Sequence, residues 1–123
     1  MIMLAIALAT ATPDPLAGRW EGSSLCQVKP SPCHDEHVVY HVTSLGRGTY
    51  RFAAYKIIAG EEQFMGNLDF HLDASGRELV ASYRDRAGVD HPWLFTLRGT
   101  HISGRALTSP GGRVFRLIEV DKH

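Results

Sequence analysis

The chain has 123 residues, 44% of them hydrophobic and 21% charged, with 13 Lys and Arg against 13 Asp and Glu. That length suits one domain with its own core, and that apolar fraction excludes intrinsic disorder. The zero formal charge removes the electrostatic basis for binding nucleic acid or an anionic membrane surface.

Residues 1–11 form an uncharged apolar run that closes on small residues, Ala9-Thr10-Ala11. This is how a secretory signal peptide ends, and the run is far too short to span a bilayer, which takes about 20 residues. The expectation is cleavage after Ala11, a flexible lead over 12–17, and a single domain over 18–123. Cys26 and Cys33, both beyond that point, agree with export to a periplasmic or extracellular space, where two cysteines read as one disulfide. The competing reading is a metal pair helped by His34 and His37. A compact zinc site usually separates its cysteines by two to four residues, and here six intervene.

From Gly18 onward, short β-rich runs alternate with turn chemistry. Strands are expected at Arg19 to Leu25, Glu36 to Thr43 and Thr49 to Ile58, with Gly46-Arg47-Gly48 as a hairpin between the last two. In the run Gln63 to Asp73, Leu68, Phe70 and Leu72 alternate with polar residues, which marks a half-buried antiparallel strand. Glu78 to Arg84, Pro92 to Arg98, His101 to Leu107 and Arg113 to Val120 complete eight strands, and no segment carries a helical period. Short turns pair each strand with the next. Closing such a meander removes its edges, so the expected fold is all-β, an eight-stranded antiparallel up-and-down barrel.

Gly18-Arg19-Trp20 opens the first strand, and the basic run Arg113-Val114-Phe115-Arg116 closes the meander. In these residues the chain resembles the lipocalin-like, or calycin, barrels. The resemblance implies that Trp20 lies at the closed end of the barrel, with Arg116 packed across its indole. Such a contact is structural and worth about 0.5–2 kcal/mol. The stretches from Ser24 to Gln27, Pro32 to Glu36 and Met65 to Phe70 are also similar to small exported bacterial proteins without an assigned function. The resemblance implies a fold rather than an activity.

No catalytic constellation stands out, and the expectation is that the protein is not an enzyme and uses no cofactor. There is no nucleophile elbow, phosphate loop or dinucleotide fingerprint. Glu61-Glu62 falls in a turn. His37 and His41 have the spacing of a zinc helix, but Val38-Val39-Tyr40 between them favour a strand, on which they stand about 13 Å apart. Asp69, His71 and Asp73 share one strand face at steps of about 7 Å, too wide for one ion.

The barrel interior is the remaining candidate. Tyr40 is expected to point inward with Val38 and Val42, and Tyr50, Phe52 and Ala54 to line the next strand. Lys56 interrupts that face. It is either a buried cation anchoring a ligand carboxylate with help from Tyr40 or Tyr83, or a lysine turned out by a bulge or reaching water at the rim. The leading functional expectation is a small apolar or amphipathic ligand held among Tyr40, Phe52, Lys56, Phe70, Tyr83 and Phe95. The alternative is a protein-binding or inhibitory module that presents Lys29 and its flanking prolines on the disulfide-braced loop 26–33.

Overall fold

The computed structural model describes residues 14–28, 33–108 and 112–123. The expected signal segment, and Lys29, Pro30 and Pro32 of the loop, lie outside the described residues.

Eight strands follow one another as β1 (Gly18–Cys26), β2 (Glu36–Gly46), β3 (Thr49–Ile58), β4 (Glu61–Leu72), β5 (Glu78–Arg84), β6 (Asp90–Arg98), β7 (His101–Thr108) and β8 (Arg113–Lys122). Each pairs antiparallel with the next, and β8 returns to β1, so the meander closes into a barrel. No helix among the described residues is long and apolar enough to cross a membrane.

The period-2 pattern decides what fills the interior. β2 contributes Val38, Tyr40 and Val42, β4 contributes Phe70, and β6 contributes Phe95 and Leu97, all buried. On β8 two faces compete in sequence, Val114, Ile118 and Val120 against Phe115 and Leu117. The structure buries Ile118 and Val120 and leaves Leu117 exposed. A bulge opposite Ala106 and Leu107 takes Phe115 out of the ladder, and its ring packs edge-on against His91 and Trp93.

One end of the barrel is closed by Trp20, whose indole Nε1–H donates to the Leu16 carbonyl at 2.9 Å. Leu16 is itself part of the core, and Asp14 accepts a 2.7 Å hydrogen bond from the Tyr50 hydroxyl. The described part of the expected lead, residues 14–17, is therefore tied to the barrel rather than trailing from it. The cation over Trp20 is Lys122, with Nζ 5.9 Å from the ring centre, and not Arg116. Register explains the correction. Trp20 faces Lys122 across the β1–β8 ladder, whereas Arg116 faces Cys26, six positions and about 20 Å away.

Two glycines let the wall close tightly. A Cβ on Gly22 would lie 1.9 Å from the Glu119 carbonyl oxygen, and one on Gly104 would lie 2.2 Å from Phe95 Cδ1. The Phe95 ring occupies the space that a side chain at 104 would need.

Candidate functional site

The aromatic side chains of the interior meet at Phe95. Its ring stacks on Phe70 at 4.5 Å between centroids, and Phe52, Tyr40 and Trp93 surround it at 5.6, 6.0 and 6.2 Å. This cluster is the floor of a cavity of about 220 Å³. The closed end below it is filled, and the space above it is hollow.

The cavity meets the surface on one side of the barrel. β4 and β5 pair only through His71 with Val80 and Leu72 with Leu79, although β4 runs on to Glu61 and β5 to Arg84. Beyond those pairs the strands part. Met65, Gly66, Asn67 and Leu68 line the cavity from the β4 bank of this gap, and Tyr83 from the β5 bank. Met65 and Tyr83 are 42% and 52% exposed, so solvent reaches the gap between them. The irregularity at Ala54 and Tyr55 leaves Met65 without a partner on β3, which bends β4 at this point.

The far wall is polar. Arg116 Nη1 donates to the Ser24 carbonyl, the Ser24 hydroxyl and the His34 carbonyl at 3.3, 3.1 and 3.1 Å. Its Nη2 donates to Glu36 Oε1 at 3.1 Å. Arg116, Glu36 and Ser24 all line the cavity, and the two charged side chains are 14% and 22% exposed. The strand pattern accounts for their placement. Arg116 continues the inward series Val120 and Ile118, Glu36 continues Tyr40 and Val38, and Ser24 lies opposite both Glu36 and Ile118. Burial is the main cause raising the Tyr40 phenol above its ordinary range, with Arg116 opposing the rise and Glu36 adding to it. The hydroxyl therefore keeps its proton at any physiological pH.

Of the six residues expected around a ligand, Tyr40, Phe52, Phe70, Tyr83 and Phe95 come together on this one cavity. Lys56 does not. It lies opposite Val38, one step past Ala54 towards the rim, half-buried and outside the lining. The cation in the wall is Arg116, and sequence reasoning assigned that residue to Trp20 instead. Glu36 and Ser24 were missed as lining residues, although the parity of Glu36 with Val38 and Tyr40 carried the signal. Trp93, on the same strand face as Phe95, also lines the cavity.

Cys26 and Cys33 form a disulfide with a Cα–Cα distance of 5.9 Å, which excludes their use as a metal pair. Asp35 accepts from the Cys26 amide at 2.8 Å and braces the bridge from the β2 side. The other metal-capable residues are engaged separately. His37 pairs with Glu21, His41 with Glu62 and Asp69 with Arg51, while His71 bonds Thr49 and Asp73 caps the turn at Ser75. Among the described residues, no group of three or more His, Cys, Asp or Glu side chains is arranged to hold a metal ion.

The chain matches no protein-family model, and a search of curated proteins finds no relative.

Proposed function

We propose that this is an exported, lipocalin-like barrel that takes a small apolar or amphipathic molecule into its interior, entering between β4 and β5. The observation that carries the reading is the half-filled interior, a cavity of about 220 Å³ floored by Phe52, Phe70 and Phe95 and open at the β4–β5 gap. A barrel of eight strands can be filled by its own side chains or hold one small ligand. Here the closed end is filled and the other end is not. An apolar cavity of about 150 Å³ is enough to take up benzene, so the volume suits a single ring or a short acyl chain. Export agrees with the Cys26–Cys33 bridge, which an oxidising compartment keeps formed.

Native mass spectrometry of the oxidised protein, beside its denatured mass, tests the reading. The expected result is a small adduct, captured during expression or added as toluene, that is lost on denaturation. It should also be missing from Ala54→Phe, in which a ring fills the space next to Phe52. A folded wild-type protein that takes up neither a captured molecule nor the added probe would overturn the proposal.

A further inference from the structure

The cavity wall carries more polar chemistry than an apolar guest requires, and that chemistry is electrically balanced. Arg116 and Glu36 offset one another at 3.1 Å on the wall farthest from the gap. Three of the guanidinium's contacts go to Ser24 and His34, so much of its donor capacity is already used inside the protein. Glu36 accepts through Oε1, and its Oε2 bonds to no described residue. Tyr40 adds a hydroxyl. The residue is 5% exposed and lines the cavity, yet its hydroxyl makes no hydrogen bond to any described residue.

The buried donor without a partner in the cavity wall, among the described residues, is Trp93 Nε1, while the Tyr40 hydroxyl keeps some accessible surface; both are met only by a polar group inside the cavity. Tyr40 can donate and accept, and Glu36 Oε2 can accept. A carboxylate guest would lose its hydration and then meet Glu36 at close range. An ammonium guest would meet Arg116. A neutral group that both donates and accepts meets neither penalty.

We infer that the cavity selects a small ring or short chain bearing an uncharged donor–acceptor head group, such as a hydroxyl or carboxamide, and discriminates against carboxylates. The head group sits against Tyr40 and Glu36, and the apolar body lies over Phe52, Phe70 and Phe95. This assignment rests on the interior being the binding site.

The test compares three probes of one size, toluene, benzyl alcohol and benzoate, titrated into the oxidised protein and followed by NMR shifts of Met65 and Trp93. Benzyl alcohol should bind about threefold to tenfold more tightly than toluene, the worth of one hydrogen bond. Benzoate should bind more weakly than either. Tyr40→Phe, which breaks no hydrogen bond to a described residue, should bring benzyl alcohol down to the level of toluene. Glu36→Gln, with its resonance dispersion retained, should shift the preference towards benzoate. Benzoate binding most tightly to the wild type, or a Tyr40→Phe protein that still prefers the alcohol, would overturn the head-group assignment while leaving the cavity as the site. No shift with any probe would overturn the cavity reading and this inference together.

Discussion

Arg116 and Glu36, 80 residues apart in the chain, join at 3.1 Å inside the barrel wall and hold the first half of β8 to the start of β2. Between them, Ser24 on β1 accepts from the same guanidinium through both its carbonyl and its hydroxyl. One side chain thus fastens three strands at the polar end of the cavity. Breaking a buried pair from one side leaves the other charge uncompensated. Arg116→Met is therefore expected to lose about 2–4 kcal/mol, with Ser24 and His34 left short of a donor. Adding Glu36→Gln should restore part of the loss. Urea midpoints of the two single variants and the double variant measure both effects.

Gly104 and Phe95 set a second constraint. A methyl group at 104 would lie 2.2 Å from Phe95 Cδ1, so Gly104→Ala has to push the ring towards the cavity. The expected cost is about 1–3 kcal/mol, together with weaker uptake of toluene because the floor has risen. Gly22→Ala meets backbone instead, 1.9 Å from the Glu119 oxygen and 2.8 Å from Val120 Cα, and a ladder cannot rotate aside. It should give little folded protein. Comparing soluble yield and thermal midpoint for the two variants separates a yielding neighbour from an unyielding one.

The Cys26–Cys33 bridge closes a short ring next to the wall that Arg116 holds. In the chain-entropy account, a ring of this size contributes about 2–3 kcal/mol. Cys26→Ser with Cys33→Ser should lower stability by that amount and loosen the Asp35 contact to the residue 26 amide. The check is a urea titration, together with the amide shift of residue 26.

His101 lies between two carboxylates, bonding Asp121 through Nδ1 at 2.7 Å and Glu119 through Nε2. Its hydrogen bond to Asp121, then that to Glu119, raises its pKa above the ordinary 6.5, and the partial burial opposing them is weaker. A group whose folded pKa is raised stabilises fully below its unfolded pKa and loses that contribution as pH climbs through the folded value. Stability should therefore fall from about pH 6.5 upward. Because the side chain is 37% exposed, the effect should stay within about 1 kcal/mol. His101→Asn should flatten the slope between pH 6 and 8.5, and a wild-type profile with the opposite slope would count against the assignment.

Much of the fold was legible in the residues. Turn spacing marked all eight strands, and alternation put Tyr40 and Phe70 on a buried face and Trp93, Phe95 and Leu97 together on one face of β6. Four of the six residues expected at the site, Tyr40, Phe52, Phe70 and Phe95, followed from the same parity. Tyr83 reads in sequence as a partner of Lys56, and only the parting of β4 from β5 explains why it lines the cavity. Parity also contained the inward course of Glu36, but a carboxylate next to a loop reads as solvated until the residue facing it is known. The two cations were exchanged for one reason. A strand pattern says which face a side chain takes and not how far along the barrel it lies. Lys56 has the inward parity but falls at the rim, and the β1–β8 register puts Lys122 rather than Arg116 over Trp20.

The sequence by itself determined the strands, their meander order and the apolar face of each, because these depend on period and turn chemistry within short stretches of chain. Tertiary structure alone decided the register of β8 against β1, the parting of β4 from β5 and the meeting of Arg116, Glu36, Ser24 and Tyr40 around one cavity. Those features depend on bulges and on closure of the sheet, where a shift of one residue in one ladder moves every partner in the next.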